Sequence, residues 1–294
     1  MPSLPLDSEI RGNQAPLTCP VCEQSFSGTL PLPAIFNGRE SDLRPIFIDA
    51  VVDPLLLLIQ VCPHCLFAAY PQTFGHDSES LDELAFQCTS SLGDRAPPIL
   101  DKLDREARID LQNWLQREDF SLGLRSPAQR YLQAARCHDY VSSDEGAEET
   151  ALLADYFLRA SWAARASGDQ VQEFTCRAEA LERLWLMADD ESLPLMEKVR
   201  TLFLLAELSR RQGDFASAID LFTQLEDISF NPNDQSEAEA EADFFYQQAE
   251  RLLSLACTKS DVNARVWEPE EDDTLFEGED DEDEGNGSGP QGLI

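Results

Sequence analysis

Two hydrophobic rhythms divide the chain. From Ser126 to about Leu255, apolar residues return every three or four positions, the spacing that puts one stripe on a single face of an α-helix. Helices are predicted from Pro127 to Val141, from Ala147 onward, and from Asp234 and Ser236 through Phe244, Phe245, Ala249, Leu252, Leu253 and Leu255. Two further helices precede them. Ser80-x-x-Glu83 is a capping box followed by Leu81, Leu84, Ala85, Cys88 and Leu92, and the stretch Ile99 to Phe120 places Leu100, Leu103, Ala107, Leu111, Trp114 and Leu115 on one side. Upstream the period is shorter: Pro45 to Val52 and Leu55 to Val61 are apolar runs split by Asp53-Pro54, and they read as two short strands, the second leading into Cys62. Residues 1–18 show no period and read as a mobile lead-in.

The helical half repeats itself. Leu202, Leu205, Ala206, Gly213-Asp214-Phe215, Ala218-Ile219, Phe222 and Leu225, closed by Asn231-Pro232, fall at the offsets of a tetratricopeptide unit. Small residues sit where two antiparallel helices cross, and Gly213 permits the tight turn between them. Phe157, Ala160, Ser161, Ala164 and Gly168-Asp169 form a weaker copy, whose second helix carries Glu173 and Arg177 where Ala and an aromatic are expected. At first-helix offsets, Leu158, Trp162, Arg165, Phe203, Glu207 and Arg210 fall where such stacks line an inner groove; they read either as peptide contacts or as residues buried against a neighbouring helix. The Lys and Asn set that grips a terminal carboxylate in some such repeats is absent from that region.

The strand-rich head carries the distinctive chemistry. Cys19-Pro20-Val21-Cys22 and Cys62-Pro63-His64-Cys65 each place two thiols one tight turn apart, and together they offer the four soft ligands that a tetrahedral structural Zn²⁺ takes. Four thiolates leave no open position for a catalytic water; an iron–sulfur cluster or a thiol redox switch is the other reading. Phe67-Ala68-Ala69-Tyr70 and Phe74 are placed to cover the sulfurs. His64 reads as a solvated loop residue and His76 as a bystander. Consecutive helical residues diverge by about 100°, so Cys137-His138-Asp139 is a core cysteine beside an exposed pair rather than a nucleophile and base. Cys88, Cys176 and Cys257 read as small buried hydrophobes.

Charge narrows the partners. Across 294 residues, 22 basic and 56 acidic side chains give −34, and the segment after Arg265 holds twelve acids and no base. Such a surface repels phosphate backbones, so neither nucleic acid nor an anionic membrane is expected as a partner. No leader of signal-peptide type and no membrane-length apolar run is seen, which points to the cytoplasm. After about Asp261 the acids and the Gly-Asn-Gly-Ser-Gly run predict a disordered tail. No Walker loop, GxSxG or HExxH occurs.

The domain reading is a lead-in (1–18), a zinc-binding module (19–78), linking helices (79–125), a tetratricopeptide-like domain (126–260) and an acidic tail (261–294). The fold class is mostly α: a stack of tetratricopeptide-like hairpins with a small N-terminal zinc-knuckle and β-ribbon module. CPVC, Arg39-Glu40-Ser41-Asp42-Leu43, Val61-Cys62-Pro63-His64-Cys65 with Ala68-Ala69, and Tyr156-Phe157-Leu158-Arg159-Ala160-Ser161-Trp162 ahead of Gly168-Asp169 together resemble a bacterial family, domain of unknown function 2225, over roughly residues 19–260. The resemblance implies a bacterial cytosolic protein with zinc knuckles and tetratricopeptide-like helices. That family has Gly after the second knuckle, where this chain has Leu66. The expected function is a non-enzymatic adaptor that binds a protein or peptide; a thiol-based redox or metal sensor and an enzyme of unrecognised class are the alternatives.

Overall fold

A computed structural model describes residues 12–32, 34–75, 103–117, 126–142, 147–228, 237–261 and 265–267. Three small antiparallel sheets precede a layer of helices. Strands β1 (Asn13–Thr18) and β2 (Ser25–Leu30) pair from Asn13↔Leu30 to Thr18↔Ser25. Strand β3 (Ile35–Glu40) pairs with β4 (Pro45–Ile48), and β5 (Gln60–Val61) with β6 (Ala68–Ala69). The Gln60 side chain joins the first and last of these ribbons: it accepts from Thr29 N–H (3.1 Å) and donates to the carbonyls of Thr29 (2.9 Å) and Leu57 (2.7 Å).

The head departs from expectation at three places. β1 occupies residues read as lead-in. Its alternation is visible only as buried Ala15 and Leu17 between polar neighbours, too short a signal beside Pro16. The run from Leu55 is not a strand: Pro54–Leu57 is a 3₁₀ turn, started by Pro at its first position and by the Asp53 carboxylate accepting from Leu55 N–H at 3.0 Å, and only Gln60–Val61 is extended. Downstream, β7 (Arg265–Trp267) adds to the free edge of β3 inside the segment read as disordered tail. The predicted helix starting at Ser80 lies outside the described residues, as does the acidic run from Glu268.

Seven α-helices follow among the described residues: α1 (Arg105–Arg117), α2 (Pro127–Val141), α3 (Ala147–Ala166), α4 (Gln170–Ala188), α5 (Leu195–Gln212), α6 (Phe215–Glu226) and α7 (Glu237–Cys257). From α2 onward each packs on its successor, and α7 lies against both α5 and α6. The α3–α4 and α5–α6 turns share one geometry. Gly168 and Gly213 adopt φ of 74° and 84°, their N–H groups return to the Arg165 and Arg210 carbonyls, and Asp169 and Asp214 cap the next helix through Gln172 and Ser217 N–H. Phe203 is buried with its ring edge-on to Phe222 (6.3 Å) and Phe245 (5.1 Å), so α5, α6 and α7 meet at one aromatic contact.

Head and helices share a core. Leu43, Leu55, Leu58, Ile59 and Ala68 belong to the cluster that contains Ala128, Tyr131, Trp162 and Phe203. Tyr131 donates to the Leu55 carbonyl at 2.7 Å, and Tyr70 stacks on Tyr156 at 5.5 Å. No described helix is long and apolar enough to cross a membrane.

Candidate metal centre

The two thiol pairs are held by the same backbone device. In the first, Glu23 N–H donates to the Cys19 carbonyl (2.9 Å) and Cys19 N–H to the Gln24 carbonyl (3.0 Å). In the second, Leu66 N–H donates to the Cys62 carbonyl (2.9 Å) and Cys62 N–H to the Phe67 carbonyl (2.8 Å). Glu23 and Leu66 reverse the chain with φ of 59° and 65°, so Leu66 forms the turn in which the resembling family places Gly. These turns are the tips of the β1–β2 and β5–β6 hairpins, and the tips face each other.

The four Sγ atoms of Cys19, Cys22, Cys62 and Cys65 lie within 4.8 Å of one another. Cys19 and Cys65 are 3.6 Å apart, as are Cys22 and Cys62, so each short edge joins one knuckle to the other. One ion held by four thiolates at about 2.3 Å needs sulfur–sulfur edges of about 3.8 Å. The donor set therefore fits a single tetrahedral metal ion. With protons alone the site is frustrated: hydrogen bonds from Cys19 and Cys65 pull the Cys62 thiol far down, whereas hydrogen bonding to Cys62 and burial push Cys19 up to about 12, and Cys65 rises with it. A divalent cation is what lets neighbouring thiols all ionise.

The surroundings are dry. Leu17, Val21, Phe67, Ala69 and Phe74 close the site from the head, Leu111 and Leu115 from α1, and Cys137 from α2. Ala68 and Tyr70, also expected over the sulfurs, turn instead to the helical core. Gln133 of α2 donates to the Leu66 carbonyl at 3.3 Å and to Cys137 Sγ at 3.9 Å, tying the helix to the second knuckle. Burial pushes the Cys137 thiol up to about 12, so it stays neutral. His64 is exposed. His138, expected at the surface, is buried beside Tyr156 with Nε2 3.2 Å from Ser142 Oγ; Asp139 alone of that trio is exposed. Cys176 is buried but Cys257 is exposed, contrary to the core reading, because it sits on the last turn of α7. His76 and Cys88 lie outside the described residues.

The groove positions have a different fate. Leu158, Trp162, Phe203, Glu207 and Arg210 are fully buried, and Arg165 is committed to ion pairs, so they form no open surface. What fills the space is the chain itself. The β3–β4 turn inserts Glu40, Ser41 and Asp42 among the helices: Arg165 pairs with Glu40 and Asp42, Arg211 reaches Asp42 at 2.5 Å, and Ser41 donates to Glu207 at 2.5 Å. Glu173 accepts from Arg165 and Arg211 at 3.1 Å each and also pairs with Arg177, while Glu207 takes both arms of Arg210 at 2.7 Å. Burial alone would raise the Asp42 carboxyl, but the guanidiniums of Arg165 and Arg211 outweigh it and hold it well below the usual carboxylate range. For Glu207 burial wins and its carboxyl is raised, only partly offset by Arg210. Asp42, Ser41, Glu173, Arg177 and Arg211 are the partners that motif reasoning missed. Two signals were present: the unusual Glu173 and Arg177 inside the repeat, and the charged Arg39–Leu43 stretch.

The model of the family described as "Uncharacterized protein conserved in bacteria (DUF2225)" matches residues 14–242, and the chain belongs to that family. Comparison with curated proteins and with solved structures gave no match.

Proposed function

We propose that this DUF2225 chain is a non-enzymatic adaptor in which a structural Zn²⁺ ties the head to a tetratricopeptide-like helical layer, and the layer presents a surface to a protein or peptide partner. The observation that carries the reading is the closed thiol tetrad: four sulfurs within 4.8 Å, walled by apolar residues, favour a borderline-soft ion that needs no fifth ligand. Cys19, Cys22, Cys62 and Cys65 would hold it, and its chemistry there is cross-linking. Catalysis finds little support, since the buried acids and arginines described above are spent on one another.

With the inner positions filled, the partner surface moves to the outer side of α4. Val171 and Phe174 at its start, and Trp185 and Leu186 near its end, are 79%, 56%, 43% and 57% exposed. Val171 also lines an open concavity with Gln129, Leu132, Thr175, Cys176 and Glu179. Large exposed apolar residues gathered on one helix are the kind of feature that marks interaction sites.

Elemental analysis of protein purified without added zinc should give about one zinc per chain, and Cys62→Ser should lower it. A metal-free, fully folded protein would overturn the zinc assignment. The adaptor role is tested separately by co-purification from the native cell, where Phe174→Asp should release the partner while metal content stays unchanged. A redox-sensing reading has one observation in its favour: Cys22 is only half-buried while the other three thiols are inaccessible. Thiol labelling at Cys22 before unfolding, with zinc release by mild peroxide, would select it.

A further inference from the structure

The two knuckles are not anchored alike. The second belongs to the helices. Ala68 of its hairpin lies in the core that contains Trp162 and Phe203, Gln133 donates to the Leu66 carbonyl within its turn at 3.3 Å, and Tyr131 holds the Leu55 carbonyl upstream at 2.7 Å. The first knuckle has no such hold. No described residue of β1 or β2 belongs to that core: Ala15 and Leu30 pack on each other, while Leu17, Cys19 and Val21 join the cluster around the sulfurs. The hydrogen bonds that fix this hairpin to the rest of the head lie away from its tip, where Gln60 exchanges two with the Thr29 backbone at 3.1 and 2.9 Å. At the tip, Phe26 rests edge-on against Phe74 at 5.4 Å, and the sulfurs of Cys19 and Cys22 meet those of Cys65 and Cys62 at 3.6 Å.

Helix α1 closes over this joint. Leu111 and Leu115, with Leu103 just ahead of the helix, belong to the sulfur cluster and not to the helical core. Near its start Arg108 reaches Glu23 of the first knuckle at 3.3 Å, an exposed pair worth little. Further along, Trp114 lies on the ring of Tyr140 in α2 at 4.7 Å. α1 is thus a strap from the weakly held knuckle to the helix that fixes the other one. Exposure points the same way, since Cys22 is half-buried and the other three thiols are buried. Local opening takes the least anchored unit first. We propose that α1 and the β1–β2 tip form a gate for metal exchange, pivoting near Gln60 while the second knuckle stays on α2. As the gate lifts, the Cys22 thiolate leaves the ion and a donor atom of an incoming chelating molecule takes its place. Cys19 follows, Cys62 and Cys65 let go last, and no electron changes hands. The gate rests on the metal reading above and adds the route by which the ion enters and leaves.

Zinc transfer from the full chain to a chromogenic chelator reads the gate. Leu111→Ala should speed transfer at least about tenfold at unchanged stoichiometry, whereas Leu221→Ala in α6, a truncation in the other core cluster, should leave the rate within about twofold. Equal acceleration by both would mean that the ion leaves by global unfolding, and no acceleration by Leu111→Ala would mean that it leaves by another side; either overturns the proposal. A second measurement needs no substitution. During transfer, alkylation mapped by mass should modify Cys22 and Cys19 before Cys62 and Cys65, although Cys19 and Cys62 are equally inaccessible at 0% each. Cys62 or Cys65 reacting with or before Cys19 refutes the gate. Protein that binds no zinc removes the metal reading and the gate together; zinc that is bound but released in the wrong order removes the gate alone.

Discussion

The head and the helical layer use the same backbone conformation under different rules. Both need residues in the left-handed region to reverse the chain. Between helices the layer uses Gly168 and Gly213, for which that region costs nothing sterically. The head uses Glu23, Leu43, Asp49 and Leu66 as well as Gly38 and Gly75, and for non-glycine residues the conformation costs roughly 1–2 kcal/mol each. A region tolerates such positions when something else over-determines it. In the head that role falls to the thiol tetrad and to the buried turn at Glu40–Asp42. The inter-helix turns of the layer, held by glycine and an Asp cap, need no such outside support. Lys259, just past α7, is the left-handed non-glycine residue among the described residues of the helical side, in a segment whose Ser260 carbonyl is gripped by Arg210.

Metal removal should break the comparison open most widely. A structural zinc contributes about 10 kcal/mol or more of folding free energy in small modules, so chelation should melt the head and shift thermal unfolding of the whole chain downward, because Leu55, Leu58 and Ile59 belong to the shared core. The helical far-UV signal should largely persist at 25 °C. Identical melting with and without chelator would show that the head stands on its hydrophobic contacts alone. Next in size is Asp42→Asn. Removing one charge from a buried pair strands its partners, here Arg165 and Arg211, and costs about 3–5 kcal/mol by denaturant titration. The same variant has a pH signature. A carboxyl with a depressed pKa stabilises the fold above its unfolded value near 4 and loses that contribution as pH falls toward its folded value. The wild-type advantage over Asp42→Asn should therefore be constant above about pH 5 and shrink below about pH 4. A gap that persists at low pH would mean that shape, not charge, seats the turn. Glu207, raised by burial, has the opposite sign: it favours the fold at low pH and loses that contribution as pH rises above its unfolded value, equally in wild type and in Asp42→Asn, so the difference between them reports Asp42.

How much of this was legible in the residues follows the same division. Thiol spacing fixes the tetrad because two knuckles of one length have one common way to converge, and the Gly-Asp pairs fix the inter-helix turns through φ and capping, both local effects. The runs Pro127–Val141 and Ala147 onward appear as helices at those starts. Strand identity at Leu55 failed because one cap, Asp53 on Leu55 N–H, outweighed a leucine-rich composition. The fate of Arg165, Glu207 and Arg210 failed for a non-local reason. Helical offsets place these side chains on the inner face but carry no information on what fills it, and the filler lies 125 residues from Arg165 in sequence. A β-strand contributed by Arg265–Trp267 is equally invisible, since three residues have no measurable period.

Smaller effects sharpen the comparison, since the two regions should answer opposite substitutions. At Gly213 an added Cβ meets no atom within 4 Å, so Gly213→Ala pays only the conformational cost and should destabilise the chain by about 1 kcal/mol. In the head the reverse change, Glu23→Gly, removes a left-handed non-glycine residue. The relief of about 1–2 kcal/mol is opposed by the extra chain entropy of glycine when unfolded, about 0.4–1 kcal/mol, and by loss of an exposed ion pair with Arg108 at 3.3 Å, which is worth little. The balance is a gain of about 0.5 kcal/mol, seen as a small upward shift of the denaturation midpoint in metal-loaded protein. If Glu23→Gly lowers the midpoint instead, the knuckle depends on its side chain more than on its backbone, and the contrast between a head that tolerates strain and a layer that avoids it would fail at its most direct test.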